Sequence, residues 1–152
     1  MRIGVYTRMP KTDTDIADCR ACLCLASRRA SRSITRAFDR RLRPHGIRGT
    51  QFSILVALIE GGPTTIGELA GFLGIERTTL TRNLDVVAAQ GWVKIGVGTE
   101  DARSRVVAVS QDGRKAVAAA LPAWREAQNA AVAALGPAGT NALRALAGMP
   151  IG

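Results

Sequence analysis

One histidine, one tyrosine, three cysteines and 4% aromatics leave this 152-residue sequence little of the chemistry that enzymes use. With His45 as the sole imidazole there is no Ser/His/Asp constellation, and no phosphate-cradling glycine loop occurs. An enzyme is therefore not expected. Cys19, Cys22 and Cys24 are odd in number and fall within six residues, which is not the framework of a secreted, disulfide-stapled fold. C-x-x-C occurs once, at 19 and 22, with no second pair and no histidine nearby, so neither a metal site nor a cofactor is expected. No run approaches eighteen apolar residues, and the opening MRIGVYTRMP carries charge where a secretory leader needs an apolar stretch. The expectation is a cytoplasmic chain with no membrane partner.

What the sequence has is positive charge, unevenly placed. The formal charge is +9; residues 1–48 contribute +8 of it and residues 49–152 only +1. A net charge of this size implies an anionic partner without naming it. At 47% hydrophobic, the length suits one globular domain.

Residues 1–14 have no periodicity and read as an arm. Over 15–43 the apolar positions Cys22, Ala26, Ala30, Ile34, Phe38 and Leu42 recur every four residues, one helical stripe, which Pro44 and Gly46 end. Arg28, Arg32, Arg36 and Arg40 form a second stripe whose like charges repel along the helix, so an anion is expected nearby: DNA phosphates, acidic groups of a partner subunit, or solvent alone. Residues 50–60 make a short apolar helix closed by Gly61-Gly62-Pro63. Thr65 to Glu68 fits a capping box for a helix with Ile66, Leu69, Ala70 and Leu73 on one face. Gly74 suits a sharp left-handed turn, and Glu76 would cap the next helix, with Ile75 and Leu80 as a hydrophobic staple.

In that helix, 77–90, Leu80, Leu84 and Val87 point inward, which leaves Arg77, Thr78, Thr81, Arg82 and Asp85 outward. Residues 92–95 and 105–109 are strand candidates around a nine-residue tip. Ser110 would cap a final long helix with Val117, Leu121, Trp124, Gln128, Val132 and Leu135 on one face, kinked or broken near 118–121 by Pro122, and a short helix over 139–147 ends the chain.

Helix, glycine turn, helix and hairpin is the order of a winged helix-turn-helix, mainly α with a small antiparallel β wing. Arginine pairs with guanine edges and threonine with thymine methyls or phosphates, so Thr78, Thr81 and Arg82 lead the candidates for base reading. In the wing, Arg103 is placed to enter a minor groove with Asp101 orienting a neighbouring arginine, and Arg105 sits nearer the strand. A solvated helix face and a salt-bridged surface loop are the plainer alternatives.

Three stretches, TQFSILVALIE at 50–60, TIGELAGFLGIERTTLTRNLDVVAAQGWV at 65–93 and DARSRVVAVSQDG at 101–113, together with the flanking long helices, resemble the MarR family of bacterial regulators. The resemblance covers roughly residues 16–148. It implies a homodimer joined through helices in 15–48 and 111–152, with the winged domain at 49–110, acting on double-stranded DNA as a repressor at a pseudo-palindromic operator. By position it makes Arg103 the wing arginine and places Thr78, Thr79, Thr81, Arg82 and Asn83 on or beside the reading surface, with Arg77, outward on the same helix, as a further DNA-binding candidate. It also implies a small aromatic effector or, in one branch, an oxidant sensed by a cysteine early in the first helix. Cys24 aligns with that position, but the phenolic partners are missing, since the only tyrosine is Tyr6 and the matching first-helix positions hold Arg28 and Phe38. Redox sensing and an inert, buried thiol both remain open for Cys24, with Cys19 and Cys22 undecided beside it. Against the regulator stands a general basic nucleic-acid (RNA) binder led by the +8 segment.

Overall fold

The computed structural model describes residues 18–98 and 104–148. The chain divides into two compact units, one ending at Ser33 and one beginning at Ile34. In the first, the described residues form a 3-10 turn, Asp18–Ala21, and the opening turns of α1, Leu23–Leu42. The apolar stripe expected over 15–43 is buried only at its far end. Cys22, Ala26 and Ala30 are exposed, Ile34 and Phe38 are half-buried, and Leu42 is fully buried. The reading of Cys24 as a buried core thiol is therefore corrected: Cys19, Cys22 and Cys24 are all exposed in this chain.

The second unit follows α1 with a 3-10 turn, Arg43–His45, which Gly46 closes in the left-handed region (φ 71°). Then come α2 (Gly49–Gly61), β1 (Thr64–Thr65), α3 (Ile66–Leu73), α4 (Arg77–Ala89), β2 (Val93–Val97), β3 (Arg105–Val109) and α5 (Gln111–Ala147). The three strands form one antiparallel sheet in the order β1-β3-β2. Its register pairs Val93 with Val109 and Val97 with Arg105 on one side, and Thr64 with Val107 on the other.

α2 is the centre of this unit, packed against α4, α5 and β3. Ile54, Leu55 and Leu58 have no exposed surface, and Leu42, Ile47, Leu80, Leu84, Val87 and Val107 close around them. Each such aliphatic side chain contributes about 1.5–3 kcal/mol by leaving water. The helix starts cleanly because Asp39 Oδ1 accepts the Gly49 N–H at 2.8 Å and Gln51 Oε1 accepts the Arg48 N–H at 3.0 Å. Two of the orphan donors of the first turn are thus satisfied, one by a carboxylate at the positive end of the helix dipole.

α5 departs from expectation. Its backbone stays helical through 118–122, and the break comes instead at Gly136 (φ 66°, ψ 176°), immediately before Pro137. Pro122 is exposed, as is Ala118, whose carbonyl loses its donor to the proline ring and is left to water. A proline disfavours helix in the residue before it, and at 136 that residue is a glycine free to take positive φ. Pro137 then occupies the first position of a new helical stretch, where its missing N–H costs nothing. The terminal helix consequently begins earlier than the expected 139. Among the described residues, no helix is long and apolar enough to cross a membrane.

Candidate nucleic-acid interface

The geometry of the helix-turn-helix is set by three local devices. At the start of α3, Thr65 Oγ1 accepts the Glu68 N–H at 3.2 Å, and Glu68 Oε2 takes the Thr65 N–H at 3.0 Å, the expected capping box. The same carboxylate oxygen also accepts the hydroxyls of Thr65 (2.8 Å) and Thr64 (2.9 Å). These donors, the Thr65 backbone N–H foremost, hold the Glu68 carboxyl below its ordinary range. At the end of α3, Gly74 lies in the left-handed region (φ 62°, ψ 34°), and the Ile75 N–H returns to the Ala70 carbonyl at 3.1 Å. The chain reverses there and re-enters helix after Glu76, whose extended backbone starts α4 without a side-chain cap.

α4 divides as its spacing requires. Leu80, Leu84 and Val87 are 0–1% exposed and dock on the core, whereas Arg77, Thr78, Thr79, Thr81, Arg82 and Asp85 are exposed. Asn83 is half-buried, with Nδ2 donating to the Thr79 carbonyl at 2.9 Å. Thr81 Oγ1 donates to the Arg77 carbonyl at 2.9 Å, which commits its proton to the helix and leaves its methyl group and an acceptor lone pair outward. Among the described residues neither Arg77 nor Arg82 has a carboxylate within 4.0 Å, so both guanidinium groups keep all five donors for another partner.

The hairpin is latched to the end of α4. Gly91 (φ 73°) turns the chain out of the helix, and the Trp92 N–H bonds back to the Val87 carbonyl at 2.9 Å. Ser110 closes the other strand onto the same corner. Its N–H donates to the Trp92 carbonyl at 2.9 Å, its hydroxyl donates to the Gly91 carbonyl at 2.6 Å, and its Oγ accepts the Gly113 N–H at 3.0 Å. Ser110 therefore caps α5, as its position suggests, and also fixes the hairpin against α4, which its position does not reveal. β2 runs two residues longer than expected, to Val97, and the Gly98 N–H meets the Ser104 carbonyl at 2.8 Å where the tip begins.

Of the wing residues singled out by sequence, Arg105 is exposed at the start of β3, while Asp101 and Arg103 lie outside the described residues. Lys94 is an exposed cation on β2 that sequence reasoning does not name as a site residue. Its position between inward-pointing Val93 and Ile95 carries the signal, because strand side chains alternate.

Behind this surface, a cavity of about 390 Å³ opens between α1, α2 and α5 and reaches the α3–α4 turn. Ile34, Phe38, Leu73, Ile75 and Trp124 supply apolar walls; Thr35, Thr50, Ser53 and Gln128 supply polar atoms. Trp124 stacks on buried Phe52 with ring centroids 6.0 Å apart and planes 14° from parallel.

A model of the MarR family matches residues 45–104, which contain the helix-turn-helix and the first part of the hairpin. The crystal structure of the M. tuberculosis transcriptional regulator MosR in complex with DNA is 40% identical, with a TM-score of 0.73, over 82% of this chain and 92% of that one. The chain belongs to the MarR family. Its fold is accordingly that of the winged helix-turn-helix transcriptional regulators. A curated relative, the uncharacterized HTH-type transcriptional regulator YwoH of Bacillus subtilis, is 31% identical over 86 residues, 57% of this chain. The chain spans 62% of that relative's length. A cysteine-to-serine mutant of E. coli MarR, solved with operator DNA, shares the fold at 21% identity, with a TM-score of 0.75 over 88% of this chain and 96% of that one.

Proposed function

We propose that this MarR-family chain is a homodimeric repressor that reads a pseudo-palindromic site in double-stranded DNA with α4. The observation that carries the reading is the exposed row of Arg77, Thr78, Thr81 and Arg82, held on a helix whose opposite face is fully buried. A rigid helix with unpaired guanidinium groups and outward threonine methyls is what major-groove base edges accept. Thr79 and Asn83 flank that row, and Lys94 and Arg105 carry charge onto the wing, with Arg103 and its orienting partner Asp101 proposed for the tip. The similarity to MosR, which was solved with DNA, supports the reading.

Dimerisation is supported by large apolar side chains left in water by a single chain. Leu23 is 83% exposed and Leu146 54%, and Leu25, Val132, Leu135 and Leu143 are exposed as well. Two-fold symmetry would set the two α4 helices about one DNA turn, roughly 34 Å, apart. The 390 Å³ cavity is the proposed seat of a small aromatic effector, since Phe38 and Trp124 line it and it touches Leu73 and Ile75 at the turn that orients α4. Cys24, which the family resemblance aligns with a sensing cysteine and which is exposed like Cys19 and Cys22, is the proposed thiol for an oxidant.

Selection of bound duplexes from a random pool, followed by footprinting, tests the reading. A protected inverted repeat, with affinity lost for that sequence in Arg82→Ala, supports it. Uniform, salt-controlled binding with no preferred sequence would replace it with the general nucleic-acid binder. Peroxide treatment of wild type and Cys24→Ser tests the thiol: a loss of DNA affinity confined to wild type supports sensing.

A further inference from the structure

A second surface of this basic protein has the opposite character. Between the last turn of α2 and α3 lies a groove of about 400 Å³, lined among others by Ala57, Glu60, Gly61, Glu68, Leu69 and Phe72. Phe72 is 77% exposed, an unusual position for a phenylalanine on a helix where Ile66, Leu69 and Ala70 are buried and Leu73 is half-buried. Glu60 and Glu68 are exposed beside it; Oε2 of Glu68 is held by Thr64 and Thr65, which leaves its Oε1 and the Glu60 carboxylate for a guest, and the carbonyls at the C-terminal end of α2 add partial negative charge. An aromatic face with two carboxylates and apolar walls fits one kind of guest, a guanidinium group on its aliphatic stem.

The chain itself presents such guests. Arg36, Arg40 and Arg43 are spaced four and three residues apart, so they share one face of the end of α1 and the turn after it, and all three are exposed. Among the described residues none has a carboxylate within 4.0 Å. Asp39, the acid closest to them in sequence, is committed to the Gly49 N–H.

We propose that the Glu60–Phe72 groove of one copy receives an arginine from the 36–43 ridge of a second copy, so that copies associate head to tail. In the head-to-tail arrangement the contact is heterologous, not a reciprocal two-fold exchange: each copy that gives an arginine keeps its own groove open, and association continues from unit to unit. The net charge of +9 opposes approach at long range. At about 0.15 M ionic strength, however, screening over roughly 8 Å mutes the body-to-body repulsion more than the attraction of the touching pair. The association is independent of the DNA-reading proposal and requires no DNA.

Sedimentation velocity of the full chain, without DNA and from micromolar to millimolar concentration, tests it. Wild type is expected to grow beyond its basal species as concentration rises. Phe72→Ser, and separately the double variant Arg40→Glu with Arg43→Glu, are expected to remain at the basal species. These side chains are exposed, so folding is not at stake. Gly61→Leu offers a second block, because Gly61 lines the groove and a Cβ there meets nothing within 4 Å, which leaves room for a bulky side chain beside the guest. An equimolar mixture of Phe72→Ser and the arginine double variant restores association, since the first keeps the ridge and the second keeps the groove. Wild type that stays at the basal species, growth that persists in both variants, or a mixture that fails to associate would each overturn the proposal.

Discussion

The hydroxyl of Ser110 donates to the Gly91 carbonyl at 2.6 Å and, through the same oxygen, accepts the Gly113 N–H at 3.0 Å. One side chain thus ties the end of α4 to the first turn of α5 across the base of the hairpin. Ser110→Ala removes a helix cap and leaves the Gly91 carbonyl short of a donor. A loss of about 1–2 kcal/mol is expected in chemical denaturation. The same variant loosens the wing relative to α4, so affinity for duplex DNA should fall although none of the residues proposed to face DNA has changed.

Gly113 shows how closely α5 approaches this corner. A Cβ at that position would overlap the Trp92 carbonyl oxygen and press on Val109 Cγ2, and a backbone carbonyl already held by the Ser110 N–H cannot move aside cheaply. Gly113→Ala is expected to destabilise by about 1–3 kcal/mol, the usual range for overpacking a filled site. Gly71, on the exposed side of α3 with open space at its Cβ position, gives the opposite sign. Gly71→Ala should stabilise by about 0.5–1 kcal/mol through the entropy of the unfolded chain. Thermal melts of the two variants side by side check both signs.

The carboxyl of Glu68 has its folded-state pKa held below the ordinary value of 4.5 by the Thr65 N–H and the Thr65 and Thr64 hydroxyls. A depressed carboxyl contributes stability that is fully present above the unfolded pKa and disappears as pH falls through the folded pKa. Wild type should therefore exceed Glu68→Gln in stability at neutral pH, and the gap should close on acidification below about 4.5. A gap independent of pH would mean that charge at the start of α3 is not what the capping box supplies. Denaturant midpoints measured down a pH series decide between these outcomes.

Much of this architecture is legible in the sequence because period and punctuation agree. The three-and-four spacing of Leu80, Leu84 and Val87 names the buried face of α4, and Gly74 marks the turn that only a residue tolerant of positive φ takes without strain. β1 is not legible, since two threonines cannot display alternation and Thr65 doubles as the cap of α3. The α5 break escapes a reading of prolines because a proline alone does not decide a kink. Pro122 sits on an exposed face beside packed Ala120 and Ala123, and it takes the Gly136-Pro137 pair to interrupt the helix. Nor does the four-residue repeat of Cys22, Ala26 and Ala30 distinguish a core face from one that a single chain leaves in water. Periodicity identifies a stripe but not what covers it.

Two cations, one on α4 and one on the wing, should behave differently if the proposed function holds, and the difference separates base reading from phosphate binding. Arg82 lies on the outward face of α4, where a guanidinium can meet a guanine edge with two parallel hydrogen bonds; Lys94 lies on β2 of the wing and carries a single point charge. Arg82→Ala is expected to cost about 1–3 kcal/mol on the preferred site and far less on scrambled duplex, narrowing the preference between them. Lys94→Ala is expected to weaken both duplexes alike and to lower the slope of log affinity against log salt by about 0.9, as when one phosphate is no longer neutralised. Titrations of both variants at several salt concentrations, on both duplexes, measure the two effects independently. If Arg82→Ala instead lowered the salt slope and left the sequence preference intact, α4 would be lying along the backbone, and the base-reading role would have to pass to the wing.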